Sequence, residues 1–94
     1  MRVINETSDQ DQVKICLYRL DDNVDWIPVG AGVFIVKKGE TVPWTAPSGE
    51  GLDGYHMKAF HPAFIDQCLA ALDVNFNEDL AIRGGNGSYS IDKL

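Results

Sequence analysis

Apolar and polar side chains alternate along several short segments of this chain, and this alternation constrains its fold more than any other feature. In residues 13–18, valine, isoleucine and leucine alternate with lysine, cysteine and tyrosine. Successive side chains of a β-strand point to opposite faces of a sheet, so a period of two is typical of a strand buried on one face. Residues 55–60 alternate in the same way. The pattern therefore predicts a protein built mainly from β-strands.

Turn residues divide the rest of the chain into further short strands, which brings the predicted total to between seven and nine. We place them at residues 3–4, 26–29, 33–36, 41–44, 74–76, 80–82 and 88–91. Residues 37–40 form a turn that leads back as an antiparallel hairpin, and the glycine-rich residues 84–87 supply a second hairpin turn. The continuous apolar run at 33–36 is typical of a strand covered on both faces, while Pro28 favours an edge strand.

One late segment has the period of an α-helix. Pro62 suits the first turn of a helix, and an apolar stripe with helical spacing follows it, made of Phe64, Ile65, Cys68, Leu69 and Leu72. We predict a helix around residues 62–72 that lies on the sheet, with Cys68 in the core. The expected fold is a single compact domain over residues 1–94, a largely antiparallel β-sandwich with this one helix.

Composition narrows the classes of partner. The chain has 94 residues, 45% of them hydrophobic, and a formal net charge of −6. Nucleic acids and anionic lipids are bound through Lys and Arg, so this charge argues against both. No apolar run is long enough to span a membrane, and the start turns polar too early for a signal peptide. We expect a soluble protein, with the compartment left open. Cys16 and Cys68 are expected to be two buried thiols, although their pairing cannot be judged from sequence.

Two groups of residues have the chemistry of weak metal ligands. Asp21, Asn23 and Asp25 copy the first ligand positions of a calcium loop. Trp26 stands where that loop needs a flexible glycine, and Gly32 where it needs a bidentate glutamate, so we expect a solvated acidic turn.

His56, His61 and Cys68 form the second group. A structural zinc site needs about four ligands at short paired spacings, and these three are spread over a strand, a junction and the predicted helix. We therefore predict no metal site.

Catalytic signatures are equally scarce. The sequence contains no G-x-S-x-G nucleophile motif, no phosphate-binding loop and no complete dinucleotide fingerprint. We expect no cofactor and favour a protein that is not an enzyme. A metal-dependent enzyme is the third hypothesis for its function.

The loop between Trp44 and Tyr55 is the best candidate site. It is rich in glycine and holds Glu50 and Asp53, and His56 follows it. Aromatic rings cover the apolar face of a sugar or peptide, while carboxylates accept hydrogen bonds from hydroxyl or amide groups. We therefore expect a non-enzymatic binding module that contacts a glycan or a protein here, unless both rings are core residues and the loop only connects two strands.

A second surface is the segment around Trp26, Ile27 and Pro28. If it forms an exposed edge strand, it could pair with another chain, for instance in a homodimer. The neighbouring aspartates could equally serve to prevent such pairing.

Three segments in the first half of the chain carry a resemblance to a known family. They are VIN at residues 3–5, KICLY at residues 14–18 and KGETVPW at residues 38–44. This layout resembles small β-sandwich proteins such as the aegerolysins, which act on membranes. The resemblance supplies the alternative function, a membrane-acting toxin or defence protein that oligomerises on a specific lipid or receptor. It assigns no individual residue.

Overall fold

The chain is mainly β and forms two four-stranded sheets. The structure is a computed structural model that describes residues 1–20, 26–45, 54–75 and 77–94. The strands are β1 (Arg2–Thr7), β2 (Gln12–Leu20), β3 (Trp26–Lys37), β4 (Thr41–Pro43), β5 (Tyr55–His61), β6 (Phe64–Val74), β7 (Asp79–Gly85) and β8 (Ser88–Lys93). One sheet has the order β4-β1-β7-β8 and the other the order β3-β2-β5-β6.

Both sheets bury alternate side chains in one common core. Val3, Leu80 and Ile82 enter it from the first sheet, while Ile15, Leu17 and Met57 enter it from the second. Neighbouring strands are antiparallel except β1 and β7, which run parallel. The alternation in the sequence therefore reflects real sheet faces, since residues one position apart point to core and surface in turn.

The predicted helix at residues 62–72 is wrong. Residues 62 and 63 form a two-residue turn, and β6 then runs back antiparallel to β5 with Ala59 opposite Ala70 and Met57 opposite Leu72. No helix occurs among the residues that the structure describes. Pro62 suits a tight turn as well as a helix start, because its ring presets the backbone angle that both need.

A register shift in β6 explains the misleading spacing. Ala59 pairs with Ala70 but Phe60 pairs with Cys68, so Leu69 is the extra residue between two pairs. Such an irregularity breaks the period of two and leaves apolar side chains at helix-like intervals. Leu69, Ala70 and Leu72 still pack on the core, whereas Cys68 is exposed instead of buried.

The turn predicted at residues 37–40 is present, but the strand that follows it, β4, does not pair with β3 to form a hairpin. Gly39 has a φ of 78°, and the Glu40 N–H donates to the Lys37 carbonyl over 2.8 Å. The chain then crosses to the other sheet, where β4 pairs with β1. Residues 33–36 are also not covered on both faces, because Val33 is 53% exposed and Ile35 is 40% exposed.

The second predicted hairpin turn is confirmed. Gly85 pairs with Ser88, which leaves Asn86 and Gly87 as a two-residue loop between β7 and β8. Both loop residues have positive φ, 54° and 86°, as a type I′ turn requires. The strand predicted at residues 26–29 and the one predicted at 33–36 are parts of one strand, β3, and its position at the end of the sheet agrees with the edge predicted for residues 26–29.

Among the described residues, no helix has the length and apolar character needed to cross a membrane.

Candidate binding cleft

The two aromatic residues that flank the predicted binding loop are packed in the core. Trp44 is 7% exposed and Tyr55 is 1% exposed. Their rings meet edge to face with 5.4 Å between centroids. Neither ring offers its face to solvent, so a ligand at the loop could not stack on either one. Glu50 and Asp53 lie outside the described residues, and the loop site stays a prediction.

His56 lies on the opposite face of β5 from Tyr55. Its Nδ1 is 2.8 Å from the Asp73 carboxylate, and its ring centroid is 6.5 Å from that of Tyr18. Lys58 holds its ammonium 5.4 Å from the centroid of Tyr18. Burial raises the pKa of Tyr18, and the nearby thiols of Cys16 and Cys68 add to this shift. His56 therefore lies on the outer face of the β3-β2-β5-β6 sheet.

The structure does not bring the second group of candidate metal ligands together. His56 and His61 are five residues apart on β5, which separates them by roughly 17 Å along an extended strand. No three His, Cys, Asp or Glu side chains in the described parts of the chain lie close enough to share a metal ion. Asp21, Asn23 and Asp25 lie outside those parts.

A concave surface lies at the end of the sandwich where β1, β5 and β7 finish. It consists of two adjoining depressions of about 460 and 570 Å³ that share Gln10 and His61. Its walls come from the loop between β1 and β2, the turn between β5 and β6, the start of β6 and the hairpin between β7 and β8. We call this surface the end cleft, and its main polar side chains are Asp9, Gln10, Asp11, His61, Gln67 and Tyr89.

A buried polar network anchors the first wall of the end cleft. Asn5 is fully buried and donates through Nδ2 to the carbonyls of Gln10, at 3.0 Å, and Val36, at 3.2 Å. Its Oδ1 accepts from the hydroxyl and the N–H of Thr7, at 2.7 and 3.0 Å. A buried polar side chain is stable only when its hydrogen bonds are made, and here the bonds hold the β1–β2 loop in one conformation.

Asp9 ties this loop to the hairpin across the cleft. Its carboxylate accepts from the Asn86 N–H at 3.0 Å and from the Tyr89 hydroxyl at 2.8 Å. The same hydroxyl accepts from the Gln10 side-chain amide at 2.9 Å. The Asn86 N–H, and after it the Tyr89 hydroxyl, hold the pKa of the Asp9 carboxyl below its usual range. The cleft therefore carries an ionised carboxylate at neutral pH.

Glycine allows the two walls to approach each other. A Cβ on Gly85 would lie against the Ser8 hydroxyl, and the Ser8 N–H donates to the Gly84 carbonyl over 2.8 Å. Gly84 itself has a φ of 111°, which other residues rarely adopt. The glycine-rich segment thus makes a hairpin and also admits the β1–β2 loop.

His61 is oriented by the β5–β6 turn. The Ala63 N–H donates to His61 Nδ1 over 3.1 Å, so the ring hydrogen lies on Nε2. Gln67 and Cys68 continue this wall at the start of β6. The sequence did not indicate the end cleft, because its residues come from segments far apart along the chain. The only part of it that the sequence marked was the glycine-rich turn at residues 84–87.

Comparisons with protein-family models, with curated proteins and with solved structures gave no match to this chain.

Proposed function

We propose that this protein is a non-enzymatic binding module and that the end cleft holds its ligand. The observation that supports this proposal is the convergence of polar side chains from the β1–β2 loop and from β5, β6 and β8 on one concave surface. The two depressions fall within the roughly 300–1,000 Å³ typical of sites for small ligands.

A short glycan is the ligand class we favour. Sugar hydroxyls both donate and accept hydrogen bonds, so they pair well with side chains that do the same. Gln10 and Gln67 carry amides of this kind, and Asp9 adds an ionised acceptor. A folded protein partner would need a broad contact surface of about 800 Å² per partner, which extends well beyond these two depressions.

The anchoring of the walls supports the same proposal. Asn5, Thr7 and the Asp9–Tyr89 pair hold the cleft before any ligand arrives. A site ordered in advance loses less conformational entropy on binding, which favours weak polar ligands such as sugars.

The proposal is tested by screening an immobilised glycan library and then titrating any positive glycan by calorimetry. Gln67→Ala should weaken binding about tenfold, because one hydrogen bond to a ligand contributes roughly 1.4 kcal/mol. Ser90→Ala, a matched exposed polar position on the outer face of the other sheet, should leave the affinity unchanged. Binding that is insensitive to both Gln67→Ala and His61→Ala would remove the end cleft as the site.

The same titration distinguishes a ligand bound at the loop between Trp44 and Tyr55 from one bound in the end cleft. Loss of binding in Glu50→Ala and Asp53→Ala, with full affinity in Gln67→Ala, would place the ligand at the loop. The absence of binding to any glycan would contradict the ligand class itself.

A further inference from the structure

The edge strand β3 exposes a short apolar segment. β3 pairs with β2 on one side and forms the end of its sheet on the other. Val33 and Ile35 are 53% and 40% exposed. Edge strands with exposed apolar side chains are templates for pairing with another chain.

The remaining three edges are protected against such pairing. β4 has only three residues and ends at Pro43. The edge strand β6 pairs irregularly with β5, since the register shifts on both sides of Phe60. The edge strand β8 of the other sheet also contacts β6. β8 also directs Ser90 and Asp92 outward. Short length, irregular pairing and charge are the usual means of protecting an edge. Residues 33–36 of β3 are uncharged and pair regularly with β2, although the pairing is irregular between Pro28 and Val33 and the strand ends at Lys37.

We propose that β3 pairs antiparallel with β3 of a second copy of this chain, with a two-fold axis at Phe34. In this register Val33 of one copy lies opposite Ile35 of the other, twice. All four exposed apolar side chains then share one face, because Val33 and Ile35 align with Cys16 and Lys14 on the outer side of the sheet. A two-fold interface must be self-complementary, and this segment is.

The charges along β3 favour a second copy over a partner of another kind. Residues 33–36 carry no charge, so pairing them creates no repulsion despite the net charge of −6 on each chain. Lys37 falls opposite Ala31 in this register and meets no like charge. Such a contact is smaller than the roughly 1,200 Å² of a standard interface, so the dimer should form reversibly in the micromolar range.

The test is sedimentation velocity over a micromolar concentration series. The mass of the unmodified chain should rise from 10.4 kDa towards twice that value. Two double variants, Val33→Lys with Ile35→Lys and Val33→Glu with Ile35→Glu, should each remain monomeric, because like charges then face each other across the axis. An equimolar mixture of the two should regain the dimer, because opposite charges face each other there. Leu94→Lys is the matched exposed control and should dimerise normally.

The mixture also controls for misfolding of the double variants, since misfolded chains would not form a defined dimer when mixed. Three results would overturn the proposal. The first is a monomer at every concentration, and the second is an unmodified dimer that persists in both double variants. The third is a monomeric chain that binds phosphatidylcholine–phosphatidylserine vesicles through Val33 and Ile35, which would assign the strand to a lipid surface. This interface does not involve the end cleft, so glycan binding and dimerisation can fail separately.

Discussion

The side chain of Asn5 donates a hydrogen bond to the backbone carbonyl of Gln10 over 3.0 Å, inside the protein and across the end of β1. This bond joins the core of the sandwich to the loop that carries Asp9, Gln10 and Asp11. The end cleft is therefore connected to the interior by a polar residue, and its shape depends on that residue.

Replacing Asn5 should destabilise the whole fold. Asn5→Leu keeps the approximate volume but leaves the carbonyls of Gln10 and Val36 and the N–H of Thr7 without this partner. We expect the free energy of unfolding to fall by about 3 kcal/mol, since each buried group left unpaired costs about 1–3 kcal/mol. Urea denaturation measures this change. Asn75→Ala, at an exposed position, is the control and should change it by less than about 0.5 kcal/mol.

The Asp9–Tyr89 contact should be visible in an NMR titration of the Asp9 carboxyl. In the unmodified protein the pKa should lie below the ordinary value of 3.8. Tyr89→Phe should raise it towards 3.8 without reaching it, because the Asn86 N–H is the larger cause and remains. Asp79, whose pKa is lowered by Arg2, should be unaffected and serves as the internal control. An unchanged Asp9 pKa would show that the hydroxyl does not stabilise the carboxylate.

The same shift fixes the sign of the pH dependence. The folded-state pKa of Asp9 lies below the unfolded one, so its ionised form favours folding above the unfolded value. That contribution disappears as the pH falls through the folded value. Asp9→Ala removes this contribution. As the pH falls below 3.8, the free energy of unfolding of the variant should therefore decrease less steeply than that of the unmodified protein. Acid unfolding followed by circular dichroism measures the difference.

Gly84 should tolerate no side chain. A Cβ there would lie against the Ser88 carbonyl oxygen, a backbone atom, and the φ of 111° is unfavourable for any other residue. Gly84→Ala should lower the free energy of unfolding by roughly 3 kcal/mol, as backbone strain of this kind does. A Cβ on Gly54 meets no atom of the described residues within 4 Å, so Gly54→Ala should be close to neutral. Equal denaturation midpoints for the two variants would contradict the observed hairpin geometry.

Replacing Trp44 should reduce the stability of the fold, because its ring is part of the core. It is 7% exposed and packs against Tyr55, so Trp44→Ala opens a cavity and should reduce the free energy of unfolding by about 3–5 kcal/mol. Trp44→Phe should lose much less. Thermal unfolding followed by circular dichroism distinguishes these cases. If Trp44→Ala melts like the unmodified protein, the ring is not a core residue.

The two cysteines should react with a maleimide at different rates under native conditions. Cys68 is exposed on β6, whereas Cys16 is 9% exposed on β2. Cys68 should be modified first, and Cys68→Ser should remove the fast phase when labelling is followed by mass spectrometry. Slow labelling of both thiols would contradict the exposed position of Cys68 on β6.

Local patterns predicted the parts of this fold that depend on neighbouring residues. The alternation at residues 13–18 predicted β2 because a strand buried on one face must alternate. Asn86 and Gly87 predicted their hairpin because both adopt positive φ at little cost. The same local reasoning failed for residues 62–72, where one extra residue at Leu69 shifts the period and imitates a helix.

The sequence by itself determined that the chain is mainly β and where the turns at residues 37–40 and 84–87 lie, because those properties follow from side-chain period and backbone freedom. Only the tertiary structure decided that β4 joins β1 instead of β3, that Trp44 and Tyr55 are buried, and that Asp9 meets Tyr89. Pairing between distant strands depends on which surfaces bury most area together, and no local pattern records it. The end cleft is a product of that pairing, since its walls come from opposite ends of the chain.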